Sequence, residues 1–381
     1  MKLNPLALAC AVGLALSAQA AMADINVGVS LSTTGPGAAL GIPEKNALAM
    51  MPTEIAGEKI NYIVLDDATD PTAATKNARK LTSEDKVDVL VGSSVTPTSL
   101  AVTEVAIETK TPQIALAPIN LPADKNTWVF RTPQHNDVMA SALAEHMKAK
   151  GVKTLGFIGF SDAYGEDWLT ALKKPLEEAG IKLDPIERYN RTDTSVTGQI
   201  LKLTSAKTDA VLVVGSGSPA ALPQLGLIER GYKGQIYQTH AAASPAFMKV
   251  AQKAAENVIM PIGPVVVVDQ IPDDHPSKKV GQELTKQYNE KYGEKSFTSF
   301  AGHANDAFRL LEAAVPTALK AGKPGTPEFR QGLRDALEAT KDVVGVHGVY
   351  TMTPENHFGL DNRGRVLIQV QGGEFKLIQA Q

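Results

Sequence analysis

The chain is poor in cysteine. Cys10 is the only one in 381 residues, and it lies in an N-terminal stretch that looks like an export signal. Once that stretch is removed, the protein has no disulfide, no thiolate metal site and no cysteine nucleophile. Neither charge is in large excess, since 38 Lys and Arg stand against 41 Asp and Glu, a net charge of −3. With no basic stripe and no basic amphipathic helix, neither nucleic acid nor a membrane surface is expected as a partner.

Catalytic motifs are missing as well. The seven histidines form no H-E-x-x-H pair, and there is no G-x-S-x-G sequence. A glycine pattern at 215–220 fits G-x-G-x-x-A, but Pro219 is unusual inside it. The next predicted strand also ends in His240 rather than in an acid that would bind a ribose. We therefore expect no metal, no cofactor and no catalytic activity.

The N-terminus has the three parts of an export signal. A lysine at position 2 is followed by the apolar run Leu6–Leu16 and by the small-x-small site Ala21–Ala23. A membrane anchor needs about 20 apolar residues, so this run is too short for one. A lipoprotein is the other alternative, but Cys10 lies too early and the apolar run continues past it. We predict a signal peptide at residues 1–23 that is removed after export.

Short apolar runs alternate with longer helical patterns along the rest of the chain. This alternation predicts parallel, doubly wound α/β sheets, and it restarts near Ala140, which indicates two lobes facing each other across a cleft. Strands are predicted at Ile25–Leu31, 59–66, 87–92, 113–117, 128–131, 154–160, 209–215, 235–239, 257–262, 348–350, 366–371 and 375–378. Helices are predicted at 43–55, 71–82, 97–109, 137–150, 164–178, from 215 to Glu229, 275–292, 299–320 and 327–340. We expect lobe 1 to hold residues 24–139 plus about 266–345, and lobe 2 to hold 140–265 plus about 346–381.

Ligands of open α/β sheets bind beyond the C-terminal ends of the strands, which selects particular loops. In the first lobe these are 32–41, 93–99 and 118–122; in the second they are 161–165, 216–219 and 240–244.

The loop at 93–99 has the clearest chemistry. Thr96 is a good N-cap and Pro97 fits the first helical position. The amides of Thr98 and Ser99 would then lack intrahelical partners, and Ser94 adds a hydroxyl. This is an anion site of the helix-terminus kind, suited to a carboxylate. A plain helix cap with a polar loop is the alternative.

Two further loops offer contacts of other kinds. The glycines of the loop at 33–41 allow close approach of backbone to a ligand, and the apolar Ala39 and Leu40 indicate a cleft wall. Tyr164 lies where a strand passes into a helix, so it can stack on a ligand or donate through its hydroxyl. A half-buried structural aromatic is the alternative for Tyr164.

The mature chain resembles the periplasmic solute-binding proteins of the leucine/isoleucine/valine type, the receptors of ATP-driven (ABC) importers. The resemblance covers essentially all of it and rests on the order and spacing of several short motifs rather than on one of them. These are Ile25–Leu31 leading to Gly35-Pro36 and Gly41, Leu65–Asp67 with Asp70-Pro71, Val91–Ser94, Phe130–Thr132 and Ala163–Gly165.

The resemblance implies a type I periplasmic binding protein. Such a protein is periplasmic, closes about a hinge on a small molecule and is recognised in the closed form by an inner-membrane ABC permease. We expect a monomer. Carried over by position, the carboxylate contacts are Ser94, Thr96, Thr98, Ser99 and Asn120. The second lobe would contribute Tyr164, Gly217 and the residue at 240.

One departure from the family changes the expected ligand. Amino-acid binders have an acid after the strand at 235–239 that pairs with the ligand's ammonium group, whereas this chain has His240. A buried ammonium without a partner is costly, and histidine suits a hydroxyl, a second carboxylate or a ring. The stretch Leu40–Asn46 also resembles the subgroup that takes up aromatic acids. We expect a benzoate or hydroxycinnamate type of ligand.

Several alternatives remain open from the sequence. A receptor for branched-chain amino acids or amides belongs to the same family. An exported α/β hydrolase and a sensor that signals rather than transports belong to other classes. For His240, a solvent-facing turn residue is the structural alternative.

Overall fold

The structure is a computed structural model that describes residues 24–379. The predicted signal peptide, 1–23, lies outside the described residues and stays a prediction. None of the described helices is both long and apolar enough to cross a membrane.

The first lobe is built on a six-stranded sheet of order β2-β3-β1-β4-β5-β6 within the described residues. All neighbouring strands run parallel except β2, which pairs antiparallel with β3. The strands are β1 (Ile25–Leu31), β2 (Glu54–Ile55), β3 (Glu58–Asp66), β4 (Val89–Gly92), β5 (Gln113–Ala115) and β6 (Val129–Arg131). Its first three helices are α1 (Ala38–Leu48), α2 (Pro71–Ser83) and α3 (Thr96–Thr109).

The second lobe is built on a seven-stranded sheet of order β15-β14-β11-β10-β9-β7-β8 within the same residues. Strands β7 to β11 run parallel, and β14 (Val366–Gln371) and β15 (Glu374–Gln379) add an antiparallel edge. The first strands and helices are α4 (Asn136–Ala149), β7 (Thr154–Phe160), α5 (Ala163–Ala179), β8 (Lys182–Tyr189), α6 (Thr197–Ala206), β9 (Ala210–Val214) and α7 (Ala221–Glu229). They are followed by β10 (Gln235–Gln238), α8 (Pro245–Ala251) and β11 (Ile259–Ile262).

The chain then returns to the first lobe before it ends in the second. Side chains of α9 to α11 join the core around β1, together with Tyr350, Met352 and Leu360 from the segment after them. These elements are α9 (Lys278–Tyr292), α10 (Ser299–Ala321), α11 (Pro327–Glu338), and the two-stranded pair β12 (Val343–Val344) and β13 (Val349–Tyr350). The last strands, β14 (Val366–Gln371) and β15 (Glu374–Gln379), belong to the second sheet. Within residues 24–379, three segments therefore connect the lobes, and the two doubly wound sheets predicted from the sequence are confirmed.

The helix predicted at 43–55 is wrong in both bounds. The helix α1 begins at Ala38 and ends at Leu48, with Pro43 inside it, and residues 54–55 form a strand. A turn at Gly35–Gly37 starts the helix earlier than the proline does. A proline inside a helix removes one hydrogen bond but does not always end it. As a result Glu44 is a buried residue of the helix interior.

Strand β8 and helix α6, which fill the interval between α5 and β9, were not predicted from the sequence. Strand β8 contains Pro185, and a proline argues against a strand. The strand lies at the edge of its sheet, where proline is tolerated because no neighbour needs its missing N–H group. This omission hid the loop after β8, which proves important for the site.

Candidate ligand-binding site

A small cavity lies between the two lobes. Most of its lining comes from the loops that follow the parallel strands of both sheets, together with α1 and α10. The cavity therefore occupies the place that the topology of the sheets predicts for a ligand.

The first-lobe wall begins with the start of α3. Both Ser94 and Thr96 line the cavity. The predicted N-cap is wrong by one position, because Val95 is the N-cap and Thr96 is the first helical residue. Helix starts are commonly displaced by a residue or two. The consequence is chemical, since Thr96 Oγ1 is buried without a hydrogen-bond partner among the described residues and is free to bind a ligand.

Thr98 and Ser99 lie behind this wall, not in it. The Thr98 hydroxyl bonds to Ser93 Oγ at 2.8 Å and to the carbonyl of Val95 at 3.0 Å. The Ser99 hydroxyl donates to the carbonyl of Ser93 at 2.8 Å. Both side chains are fully buried and neither lines the cavity. Their hydroxyls hold the loop before α3 in place.

The Ser94 hydroxyl is linked to α1 by a contact with Glu44. Its Oγ accepts a hydrogen bond from the Ser32 amide at 3.0 Å and lies 2.5 Å from Glu44 Oε2. Glu44 is completely buried, and its other oxygen, Oε1, has no partner in the described part of the chain. Burial raises the pKa of Glu44 well above its ordinary value; the Ser94 hydrogen bond opposes the rise and the charge of Asp67 adds to it.

The second-lobe wall carries a cation, Arg191, in the loop after β8. Its Nε donates to Asp162 Oδ2 at 2.6 Å, and one terminal nitrogen donates to Ser216 Oγ at 2.8 Å. The guanidinium also stacks on Phe160, 4.1 Å from the ring centre. Arginine has five N–H donors, so this anchored side chain keeps donors for a ligand.

Tyr164 also stands in the second-lobe wall. Its hydroxyl donates to Thr239 Oγ1 at 3.0 Å, and Thr239 in turn donates to the carbonyl of Gly215 at 2.9 Å. Burial raises the pKa of Tyr164, so the phenol stays neutral. The hydroxyl is therefore fixed in orientation, and Tyr164 lines the cavity.

Two neutral imidazoles complete the polar lining. His240 from the second lobe and His303 from α10 both line the cavity, and the Nδ1 atom of each is buried without a partner in the described residues. Burial lowers the pKa of His240 to about 3, and it lowers the pKa of His303 well below its usual value. His240 is only 5% exposed, which does not fit a solvent-facing turn residue. A neutral imidazole has one N–H donor and one acceptor nitrogen and carries no charge, so each open Nδ1 either donates or accepts, depending on the tautomer.

The lobes touch beside the cavity. A Cβ atom at Gly217 would lie 2.9 Å from Ala39 Cβ and 3.5 Å from Leu40 Cδ1, so the second lobe meets α1 with no room for a side chain. Leu40 and Val95 are part of the same hydrophobic cluster as the core of the second lobe. The structure is therefore a closed form, and Gly217 lies at the lobe contact while its neighbour Ser216 lines the cavity.

Asn120 lies outside the cavity lining. Its Nδ2 is 3.4 Å from Asp167 Oδ1 on α5, and Asp167 Oδ2 accepts a shorter bond of 2.6 Å from Asn136. Burial raises the pKa of Asp167, although these amides oppose the rise. Asn120 thus links the first lobe to the second at the edge of the cleft.

Of the predicted contact residues, the structure places Leu40, Ser94, Thr96, Tyr164 and His240 around the cavity. Sequence reasoning missed Arg191, Phe300 and His303. Arg191 follows a strand end, so recognising β8 would have found it. Phe300 and His303 come from a helix that packs under the cleft, and no local pattern marks them.

The chain belongs to the Periplasmic binding protein family, whose model matches residues 24–374. An extracellular ligand-binding receptor from Rhodopseudomonas palustris HaA2 is 50% identical, with a TM-score of 0.92 over 94% of this chain and 100% of that one. The Leu/Ile/Val-binding protein homolog 1 of Brucella abortus strain 2308 is 25% identical over 331 residues, 84% of this chain and 83% of that protein.

A more distant structure shares the fold. It is a solute-binding protein of an ABC transporter from R. palustris in complex with benzoate, 21% identical, with a TM-score of 0.78 over 94% of this chain and 96% of that one. The predicted fold class, a type I periplasmic binding protein, is confirmed, and the chain is a periplasmic binding protein.

Proposed function

We propose that this protein is the receptor of an ABC importer that captures an aromatic carboxylate, of the benzoate or hydroxycinnamate type, by closing its two lobes on it. One observation carries the choice of ligand: among the described residues that line the cavity there is an arginine and no Asp or Glu. Export through the predicted signal peptide, work in the periplasm as a monomer and delivery to an inner-membrane permease complete the proposal.

The charges favour an anion over an amino acid. Arg191 offers donors from the second lobe, and Ser94 and Thr96 offer hydroxyls from the first. A charge-assisted hydrogen bond is roughly twice as strong as a neutral one, so a carboxylate gains most between these walls. An ammonium group would find neutral imidazoles and hydroxyls but no carboxylate in the lining, and burying it unpaired is costly.

The remainder of the lining suits an aromatic body. Leu40, Leu116 and Phe300 supply apolar surface, and Tyr164 supplies a fixed ring. His240 and His303 have open Nδ1 atoms that fit a ring hydroxyl as donor or acceptor. A fold neighbour bound to benzoate supports the fit of an aromatic acid to this architecture.

Closure of the two lobes on the ligand follows from the position of the carboxylate. If Arg191 and Ser94 hold the same carboxylate, the ligand links the lobes and stabilises the closed form, in which Gly217 lies against α1. The permease would then recognise that form.

A thermal-shift panel on protein freed of carried-over ligand tests the proposal. The panel contains benzoate, 4-hydroxycinnamate, leucine and a dicarboxylate, with the methyl ester of 4-hydroxycinnamate as the matched control without a charge. A ligand at about a hundred times its Kd adds about 2.7 kcal/mol to the free energy of unfolding. We expect a shift with an aromatic acid and none with its ester. A shift with leucine and none with any aromatic acid would favour the branched-chain amino-acid receptor instead.

A further inference from the structure

Glu44 is a buried acid directly behind the cavity that the proposed function does not use. The Ser94 hydroxyl is its one hydrogen-bond partner among the described residues, and Oε1 has none. Burying an isolated carboxylate anion is far more costly than burying a neutral acid. The surroundings of Glu44 therefore favour the protonated form, in line with its raised pKa.

The neighbouring acid Asp67 shows what a buried anion needs. It is also fully buried, but four donors surround its two oxygens. These donors are the hydroxyls of Ser30, Ser32 and Ser93 and the amide of Thr69, at 3.1, 2.7, 2.5 and 3.0 Å. Glu44 has only one hydroxyl contact, with Ser94, so the two acids, 23 positions apart in the chain, differ in the number of donors around them and not in burial.

The hydrogen count at Ser94 then decides what faces the ligand. A serine hydroxyl has one hydrogen and two acceptor lone pairs. One lone pair accepts from the Ser32 amide. If Glu44 carries a proton on Oε2, that proton takes the second lone pair across the 2.5 Å contact. The hydrogen of Ser94 is then left to point into the cavity, which Ser94 lines.

We propose that Glu44 is a proton-bearing positioning residue, whose carboxylic acid donates to Ser94 Oγ and so turns the Ser94 hydrogen toward the carboxylate of the ligand. The inference rests on the proposed function, because it needs an anion in the cavity. An ionised Glu44 would instead accept the Ser94 hydrogen and would place a second negative charge behind the ligand.

The charged groups around Glu44 show in which direction the affinity for the ligand should change with pH. Asp67 faces it and disfavours its ionisation. Lys45, next in α1, is exposed. On α10, Asp306 binds the amides of 346 and 347, and Arg309 binds Asn305. Binding therefore weakens as pH rises and Glu44 loses its proton.

The first test does not depend on a ligand. Infrared difference spectra between the wild-type protein and the Glu44→Gln variant at neutral pH should contain the carbonyl stretch of a protonated carboxyl group. The exposed Glu104→Gln change is the matched control and should show only a carboxylate band. If the Glu44 difference spectrum also contains only a carboxylate band, the inference is overturned, whatever the protein binds.

The second test measures affinity for 4-hydroxycinnamate and benzoate by calorimetry. Glu44→Gln keeps a neutral donor and should retain most of the affinity, whereas Glu44→Leu and Ser94→Ala should each lose about tenfold or more. Circular dichroism and thermal unfolding show whether each variant is folded. Equal affinity in Glu44→Leu and the wild type would overturn the positioning role. If neither acid binds to the wild type, the proposed function fails, while the infrared result still decides the state of Glu44.

Discussion

The two walls of the cavity hold their polar groups in different ways. In the second lobe, Arg191 is anchored by Asp162, Ser216 and the ring of Phe160 before any ligand arrives. In the first lobe, Thr96 Oγ1 and His303 Nδ1 are buried without partners in the described residues, whereas in the second-lobe wall this holds for His240 Nδ1. An arginine that is already anchored can fix the charge of a ligand, and the open polar atoms gain most when a ligand enters.

The difference indicates how closure is made favourable. A ligand that binds only the anchored wall gains little from closing the cleft. One whose carboxylate also reaches Thr96 satisfies a hydroxyl that is otherwise left open, so the closed form becomes the more stable one. The following changes each affect one side of this comparison.

Removing the cation should have the largest effect. In Arg191→Ala the ligand loses its charged partner and Asp162 is left without its arginine. A truncated charge pair of this kind costs about 2 kcal/mol or more, so the affinity for an aromatic acid should fall at least about thirtyfold by calorimetry. Arg188→Ala is the matched control, because Arg188 lies near the end of β8, just before the loop of Arg191, and pairs with Glu166 at the surface. Equal losses in the two variants would exclude Arg191 from the site.

Filling the lobe contact should have the next largest effect. A Cβ atom in Gly217→Ala would lie 2.9 Å from Ala39 Cβ in the closed form. Overpacking costs about 1 to 3 kcal/mol, so the affinity should fall roughly 5- to 150-fold. Small-angle scattering with ligand present should show a larger open fraction than in the wild type.

Gly231→Ala separates closure from backbone strain. Gly217 and Gly231 have φ of +53° and +72°, but a Cβ atom at Gly231 meets nothing within 4 Å. Both variants should lower the melting temperature, and only Gly217→Ala should weaken binding. Unchanged affinity in Gly217→Ala would show that the ligand-bound protein does not close as the structure does.

The residues of the candidate site also show what could and could not be predicted from the sequence. The alternation of strands and helices identified the two sheets, and the strand-end rule selected the loops of Ser94, Tyr164 and His240. Arg191 was missed because β8, the strand before it, contains Pro185 and was not predicted as a strand. Thr98 and Ser99 have the residue types of an anion site, but their side chains bond within the lobe, which depends on packing that local patterns do not record.

Loosening the edge of the cleft should have a small effect. In Asn120→Ala the first lobe loses a 3.4 Å contact with Asp167, worth about 0.5 kcal/mol, so the affinity should fall about twofold. Asn61→Ala, which removes an exposed amide on β3 that bonds to Asn26, should leave the affinity unchanged. A loss of about tenfold or more in Asn120→Ala, with Asn61→Ala normal, would place Asn120 among the ligand contacts.

The histidines should have the smallest effect on binding and a measurable one on stability. Because burial holds the pKa of His240 at about 3, the imidazole should stay neutral between about pH 5 and about pH 8, where histidines usually titrate. It should therefore give the affinity no pH dependence in that interval.

The free energy of unfolding, unlike the affinity, should depend on pH through His240. The unfolded chain takes up a proton at His240 below about pH 6.5, whereas the folded protein does not until the pH approaches 3. The free energy of unfolding should therefore fall as the pH drops through this window. His240→Gln, measured by urea unfolding, should show a shallower fall than the wild type. An equally steep fall would mean that His240 is protonated in the folded state.

A crystal structure of the protein with 4-hydroxycinnamate or benzoate tests the central claim most directly. We expect the carboxylate between Ser94 Oγ and the guanidinium of Arg191, with the ring toward Tyr164 and the two imidazoles. A carboxylate bound away from both Ser94 and Arg191, or an α-amino acid retained in the cavity in place of the added acid, would contradict it.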